Sequence, residues 1–286
     1  MRDAAPSEIT FDAGGLRLAA LAWGPRDAPL ALCLHGYPDT AWTWRHLGPR
    51  LAAEGRRVVA PFLRGYAPSG LADDWDYGVE ALAADAIATH EAIGTGEPAV
   101  LVGHDWGALA AYAAARRAPE RFARLIAMAV PPGPVLTAAL RGDPRLALRQ
   151  ARCSWYIGFQ QLPGISERSL GRLIPRLWRA WSPGYAARED VERVLVSLAG
   201  PKRRSAALSY YRALARNLGR VPSPPREGPP LLYVHGRDDG CMLAELVDRG
   251  RERFPAGARV ETIDGAGHFA HLERPDVIAD LIVSFI

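Results

Sequence analysis

The apolar positions fall into short runs that alternate with segments of helical periodicity. Two strands are predicted first, Ile9 to Phe11 and Leu16 to Trp23, followed by a continuously apolar strand Leu30 to Leu34 that stops at His35-Gly36-Tyr37-Pro38. Runs with no polar alternation suit a parallel sheet covered on both faces. A helix from about Trp42 to Ala53, a strand Arg57 to Ala60, a helix near Val79 to Ile93 and a strand Ala99 to Val102 continue the pattern. The last of these ends at Gly103-His104-Asp105-Trp106-Gly107 and gives way to an Ala-rich helix, Ala108 to Arg117, then a strand Leu125 to Val130. Strands and helices that alternate in this way predict an α/β fold with helices on both faces of a mostly parallel sheet.

From about Val135 to Pro225 the strand signals vanish. Arg- and Leu-rich helical segments, expected to be broken by Pro163, Pro175, Pro183 and Pro201, take over until the stiff linker Val221-Pro222-Ser223-Pro224-Pro225. Strand Leu231 to His235, a helix, strand Arg259 to Ile263 and a final helix complete the sheet. The chain therefore divides into a core, residues 1–133 and 227–286, and a helical insertion, 134–226.

Composition changes this picture little. Of 286 residues, 49% are hydrophobic and 23% charged, values of a globular chain rather than a disordered or fibrous one. The formal charge of +4 arises from 35 basic residues scattered among 31 acidic ones, which argues against a nucleic-acid partner. Cys33, Cys153 and Cys241 are odd in number and widely spaced, so neither a disulfide framework nor a zinc site is expected. No metal or organic cofactor is implied. An N-terminus without an apolar leader segment, and the lack of any apolar run of membrane length, lead to the expectation of a cytoplasmic protein with no membrane partner. The oligomeric state, a homodimer included, is left open.

Three polar groups stand just past strand ends. Asp105 lies on the sharp turn between a buried strand and a helix, flanked by Gly103 and Gly107. Helix N-capping would explain an aspartate there without any chemistry. Gly236-Arg237-Asp238-Asp239 follows the strand Leu231 to His235, however, and Gly265-Ala266-Gly267-His268 follows Arg259 to Ile263. Nucleophile, acid and histidine in this chain order, each at the carboxyl end of a strand, is the arrangement of α/β-hydrolases. Asp239 suits the acid by its distance from Gly236, with Asp238 the alternative; His271 is the alternative to His268 and is expected on the last helix. The loop at His35-Gly36-Tyr37-Pro38 could contribute the Tyr37 N–H, beside that of Trp106, to an oxyanion hole.

Aspartate in the nucleophile position changes the chemistry. With an ordinary pKa of about 3.9 it is already ionised and needs no base for attack. A carboxylate held in line with an sp3 carbon can displace a leaving group, giving an alkyl-enzyme ester that His268, oriented by Asp239, would hydrolyse through water. Halide and epoxide oxygen can both leave. An epoxide oxygen departs as an alkoxide whose conjugate acid has a pKa of about 16, like water, so a proton donor such as tyrosine is needed. The insertion offers tyrosines in two segments, Ser154-Trp155-Tyr156-Ile157-Gly158-Phe159-Gln160-Gln161 and Ser209-Tyr210-Tyr211-Arg212.

On these residues nearly the whole chain resembles the epoxide hydrolase branch of the α/β-hydrolase fold. His35-Gly36-Tyr37-Pro38 and Gly103-His104-Asp105-Trp106-Gly107 look like its oxyanion and nucleophile motifs. Tyr156, ahead of Gln161-Leu162-Pro163-Gly164, and Tyr211, followed by Arg212, match its two ring-opening cap tyrosines, with Tyr210 the neighbouring alternative. The resemblance implies a small apolar epoxide as substrate, water as co-substrate, no cofactor, and a pocket lined by Trp106, Tyr37 and Pro38. Arg64-Gly65-Tyr66-Ala67-Pro68 looks like a further loop of the family, with Ala67 in place of the usual glycine and no catalytic role assigned. Haloalkane dehalogenases share the Asp-Trp-Gly core but usually carry asparagine where Tyr37 stands, and fluoroacetate-type dehalogenases carry arginine where Trp106 stands. A dehalogenase of the same fold, or a ligand-binding regulator without turnover, are the competing readings.

Overall fold

A computed structural model describes residues 5–217 and 220–286. Within them the sheet has eight strands: β1 (Ser7–Ala13), β2 (Leu16–Trp23), β3 (Leu30–Leu34), β4 (Arg57–Pro61), β5 (Ala99–His104), β6 (Phe122–Met128), β7 (Leu231–Gly236) and β8 (Arg259–Ile263). Their order is β1-β2-β4-β3-β5-β6-β7-β8. The pairings β1–β2 and β2–β4 are antiparallel and all others parallel. Every residue of β3, β5 and β7 is buried, which is why their sequences show no polar alternation. The order puts β3 beside β5, with Leu34 opposite Gly103, so the loop after β3 necessarily runs next to Asp105.

Helices α1 (Leu47–Ala53), α2 (Val79–Ile93) and α3 (Trp106–Arg117) belong to the first half of the core. The Ala-rich face of α3 is buried from Trp106 through Ala115, and methyl side chains let this helix pack directly on the sheet. Among the described residues, six helices then separate β6 from β7: α4 (Gly133–Gly142), α5 (Pro144–Cys153), α6 (Trp155–Phe159), α7 (Ile165–Trp181), α8 (Arg188–Ser197) and α9 (Pro201–Arg216). The Gly133 N–H donates to the Pro222 carbonyl at 3.0 Å, so the insertion leaves the core beside the point where it entered. The core closes with α10 (Glu245–Gly250), α11 (Ala270–Glu273) and α12 (Pro275–Val283). No helix among the described residues is long and apolar enough to cross a membrane.

Several sequence expectations need correction. The helix expected over 42–53 is a 3-10 turn, Ala41–Trp44, followed by α1. Pro49 has no N–H to continue an earlier helix but fits the first turn of a new one. The strand expected at Leu125 to Val130 ends at Met128, because Ala129 turns to a positive φ of 69°. Pro175 does not break its helix: it lies inside α7. An interior proline costs about 3 kcal/mol, whereas burying Leu170, Leu173, Ile174, Leu177, Trp178 and Trp181 returns roughly 1.5–3 kcal/mol for each large aliphatic side chain alone. His271 sits on the short α11 rather than on the last helix, buried and stacked on Trp44 at 4.9 Å.

Candidate active site

The turn after β5 is strained. Asp105 has φ 53° and ψ −116°, a conformation that costs an L-residue on the order of 1–3 kcal/mol. Neighbouring glycines make the turn feasible: a Cβ on Gly107 would lie 2.0 Å from the Leu34 carbonyl oxygen, and one on Gly36 only 2.4 Å from the Cβ of Asp105. Although Asp105 occupies the N-cap position of α3, its side chain makes no capping hydrogen bond. Its Oδ1 instead accepts the Tyr37 N–H at 2.8 Å, and its Oδ2 stands 3.6 Å from His268 Nε2. The capping explanation for this residue therefore fails. Trp106 opens α3, and an N–H in a first helical turn has no partner within the helix.

Asp239 and His268 meet from the loops after β7 and β8. His268 Nδ1 lies 2.9 Å from Asp239 Oδ2, while Asp239 Oδ1 accepts the N–H groups of Cys241 at 2.7 Å and Met242 at 2.9 Å. Asp238 is exposed and pairs only through its backbone N–H with Ala266, which leaves Asp239 as the acid that faces His268. Burial works to raise the Asp239 pKa, but the charge and hydrogen bond of His268 prevail and lower it. For His268 burial alone would lower the pKa; Asp239 and Asp105 overcome this and lift it to about 10. His268 thus stands between two acidic side chains that both favour its protonated form. His104, its pKa pushed down to about 3 by burial, is neutral and donates Nε2–H to the His268 carbonyl at 2.9 Å.

The insertion closes over this relay. Asp105, His268, Tyr156 and Tyr211 are each no more than 4% exposed. The rings of Tyr156 and Tyr211 meet edge to face at 5.6 Å; Tyr211 also contacts Trp106 at 5.2 Å and Tyr37 at 5.0 Å, and Tyr156 contacts Trp181 at 5.0 Å. Burial raises both hydroxyl pKa values, and the charge of Asp105 contributes to each, so both lie within its electrostatic reach. Tyr210 points elsewhere, donating to the Arg64 carbonyl at 2.8 Å. Arg64 itself is bound to Asp85, the Ala67 N–H donates to the Ser197 carbonyl and the Ala67 carbonyl accepts from Ser197 Oγ, so this loop anchors the insertion at the end of α8, while its buried Tyr66 lies within the electrostatic reach of Asp105. Pro38 is buried, its carbonyl accepting the Trp178 indole N–H at 2.9 Å.

Residues that the sequence did not single out hold these parts together. Gln160 donates to the Tyr37 hydroxyl at 2.7 Å. The Trp181 carbonyl, at the end of α7, accepts both Gly240 N–H at 3.1 Å and His268 N–H at 2.9 Å, and Ser182 Oγ accepts Phe269 N–H while donating to Glu273. One end of a helix in the insertion therefore ties down the acid loop and the histidine loop together. Gln160 stands four residues after Tyr156, one helical turn on, a spacing that could have marked it; the Trp181 carbonyl has no sequence signal. A cleft of about 250 Å³ between α5, α6, α7 and Gly240 is bordered by Trp181, whose ring is also 5.0 Å from that of His268. A larger cleft of about 810 Å³ lies against β1, β2 and α8 and includes none of these residues. Among the described residues, atom types suited to a metal converge within 4.8 Å in two buried clusters, Asp39 with His104 and His271, and Asp239 with Cys241 and His268; in the second, Asp239 and His268 are already hydrogen-bonded to each other.

Residues 29–275 match the family model described as alpha/beta hydrolase fold. The chain belongs to the α/β-hydrolase family. Among relatives, it is 29% identical to Epoxide hydrolase A of Mycobacterium tuberculosis, over 99% of this chain and 98% of that one. It is 30% identical to the AB hydrolase superfamily protein YfhM of Bacillus subtilis, over 95% of each. Among solved structures, the epoxide hydrolase of Bacillus megaterium superposes with a TM-score of 0.79 at 26% identity, over 97% of this chain and 99% of that one. This α/β-hydrolase thus shares its full length, insertion included, with proteins named epoxide hydrolases, the branch that its motifs resemble.

Proposed function

We propose that this α/β-hydrolase opens a small apolar epoxide to a vicinal diol, with residues 134–226 acting as a cap over the reacting atoms. The observation that carries the reading is the pairing of Tyr156 with Tyr211 beside an aspartate nucleophile, since a halide needs no proton to leave and an epoxide oxygen does. Trp106, Tyr37 and Pro38 line the pocket. In the first step Asp105 attacks one epoxide carbon, the C–O bond breaks, and a hydroxyl of Tyr156 or Tyr211 protonates the departing oxygen. The aspartate charge disappears as the ester forms, which removes one of the influences that raise the tyrosine pKa values.

The same neutralisation prepares the second step. Losing the Asp105 charge lowers the His268 pKa, and its proton restores the tyrosine. Neutral His268, held by Asp239, then deprotonates water for attack on the Asp105 carbonyl carbon. The N–H groups of Tyr37 and Trp106 receive the oxyanion, and collapse releases the diol, returns Asp105 to its carboxylate and leaves His268 protonated. The test is to assay diol formation from styrene oxide and similar epoxides beside halide release from haloalkanes and haloacetates. Diol without halide is the expected result; halide without diol would transfer the relay to a dehalogenase, and neither product would favour a binding-only protein.

A further inference from the structure

Cys241 occupies a position with two faces. Its backbone N–H donates to Asp239 Oδ1 at 2.7 Å, while its sulfur lies 3.4 Å from the Tyr156 hydroxyl, the one hydrogen bond of that hydroxyl among the described residues. The side chain is buried, and its sulfur belongs to the cluster within 4.8 Å that includes ligand atoms of Asp239 and His268. A single residue thus joins the acid loop of the core to the aromatic lid of the site. We propose that Cys241 is a positioning residue for ring opening: its sulfur aims the Tyr156 hydroxyl, an inference that rests on the ring-opening role given to Tyr156 above.

Sulfur suits the task because it is a weak acceptor. A hydroxyl donated to Sγ is oriented but can turn cheaply to the stronger acceptor that develops as the epoxide oxygen gains charge. A thiol so close to an electrophile carries a hazard, since a thiolate would form a thioether that water cannot cleave. Here burial first, and the Asp239 and Asp105 carboxylates next, push the thiol pKa far above its ordinary value, which keeps the sulfur protonated and a poor nucleophile. Asp105 therefore meets no competitor.

The test is a double-mutant cycle on the ring-opening rate constant, measured in single turnover with the purified full chain, using Cys241→Ala, Tyr156→Phe and the pair. Cys241→Ala should slow ring opening about three- to tenfold in the parent but have no further effect beside Tyr156→Phe, and should leave ester hydrolysis unchanged. Cys241→Ser, which restores an acceptor but a stronger one that releases the hydroxyl less readily, should recover only part of the loss. Equal losses in both backgrounds, or none in the parent, would overturn the inference while Tyr156 keeps its role. An unchanged rate in Tyr156→Phe would remove that role and the inference together.

Discussion

Nε2 of His268 stands 3.6 Å from Oδ2 of Asp105, beyond hydrogen-bond length and without a hydrogen-bond partner among the described residues. The two are close enough to form an ion pair, yet no hydrogen bond fixes the carboxylate to the ring. The nitrogen that takes a proton from water in the proposed mechanism points at the group proposed to carry the ester.

Replacing that nitrogen should separate the two steps. His268→Gln should still alkylate, because Asp105 needs no base, but should be unable to hydrolyse the ester. Intact-mass analysis after mixing with an epoxide should show the protein plus one substrate, localised to Asp105 by peptide mapping, and turnover reduced by at least about a thousandfold. An unmodified protein that has also lost turnover would argue against the two-step scheme.

The cap tyrosines should share the first step. Tyr156→Phe and Tyr211→Phe should each slow ring opening about 10- to 100-fold, less than the loss of a lone general acid because the partner hydroxyl remains. Tyr210→Phe, whose hydroxyl binds the Arg64 carbonyl, should instead lower thermal stability by about 1 kcal/mol with little effect on ring opening. Stopped-flow rates and melting curves for the three variants distinguish these outcomes.

Much of this arrangement could be read in the sequence. Asp105 and Asp239 follow β5 and β7, whose continuous apolar character buries them inside the sheet, whereas His268 follows the half-exposed edge strand β8, brought alongside by its parallel pairing with β7. Spacing from Gly236 favours Asp239 over Asp238 in the sequence, and the turn after β7 points the Asp239 carboxylate inward, 2.9 Å from His268 Nδ1. The Trp181 carbonyl, which binds both catalytic loops, was invisible because a backbone acceptor carries no residue signature. Pro175 misled because propensity is local, while the apolar face that holds α7 together is made by contacts remote in sequence.

Asp39 offers a test of the surroundings. Burial lifts its pKa to about 7 from an ordinary 3.8, assisted by Asp190 and opposed by Thr43, Thr40 and Arg45. A raised carboxyl pKa means that the unfolded chain ionises first, so folding loses stability as pH rises from 3.8 toward 7. Asp39→Asn, which cannot ionise, should escape this loss. Relative to the parent its stability should improve progressively across that interval and level off above it, as followed by denaturant midpoints. A difference independent of pH would contradict the assignment.

The proposed mechanism turns on attack at carbon by Asp105 itself. A single turnover of epoxide by excess protein in heavy-oxygen water tests it most directly, because the oxygen added to substrate comes from the carboxylate and the oxygen of water enters Asp105. Attack by Asp105 should give unlabelled diol and heavy oxygen in the peptide that contains Asp105; labelled diol with an unlabelled peptide would show instead that water attacks the epoxide without a covalent intermediate.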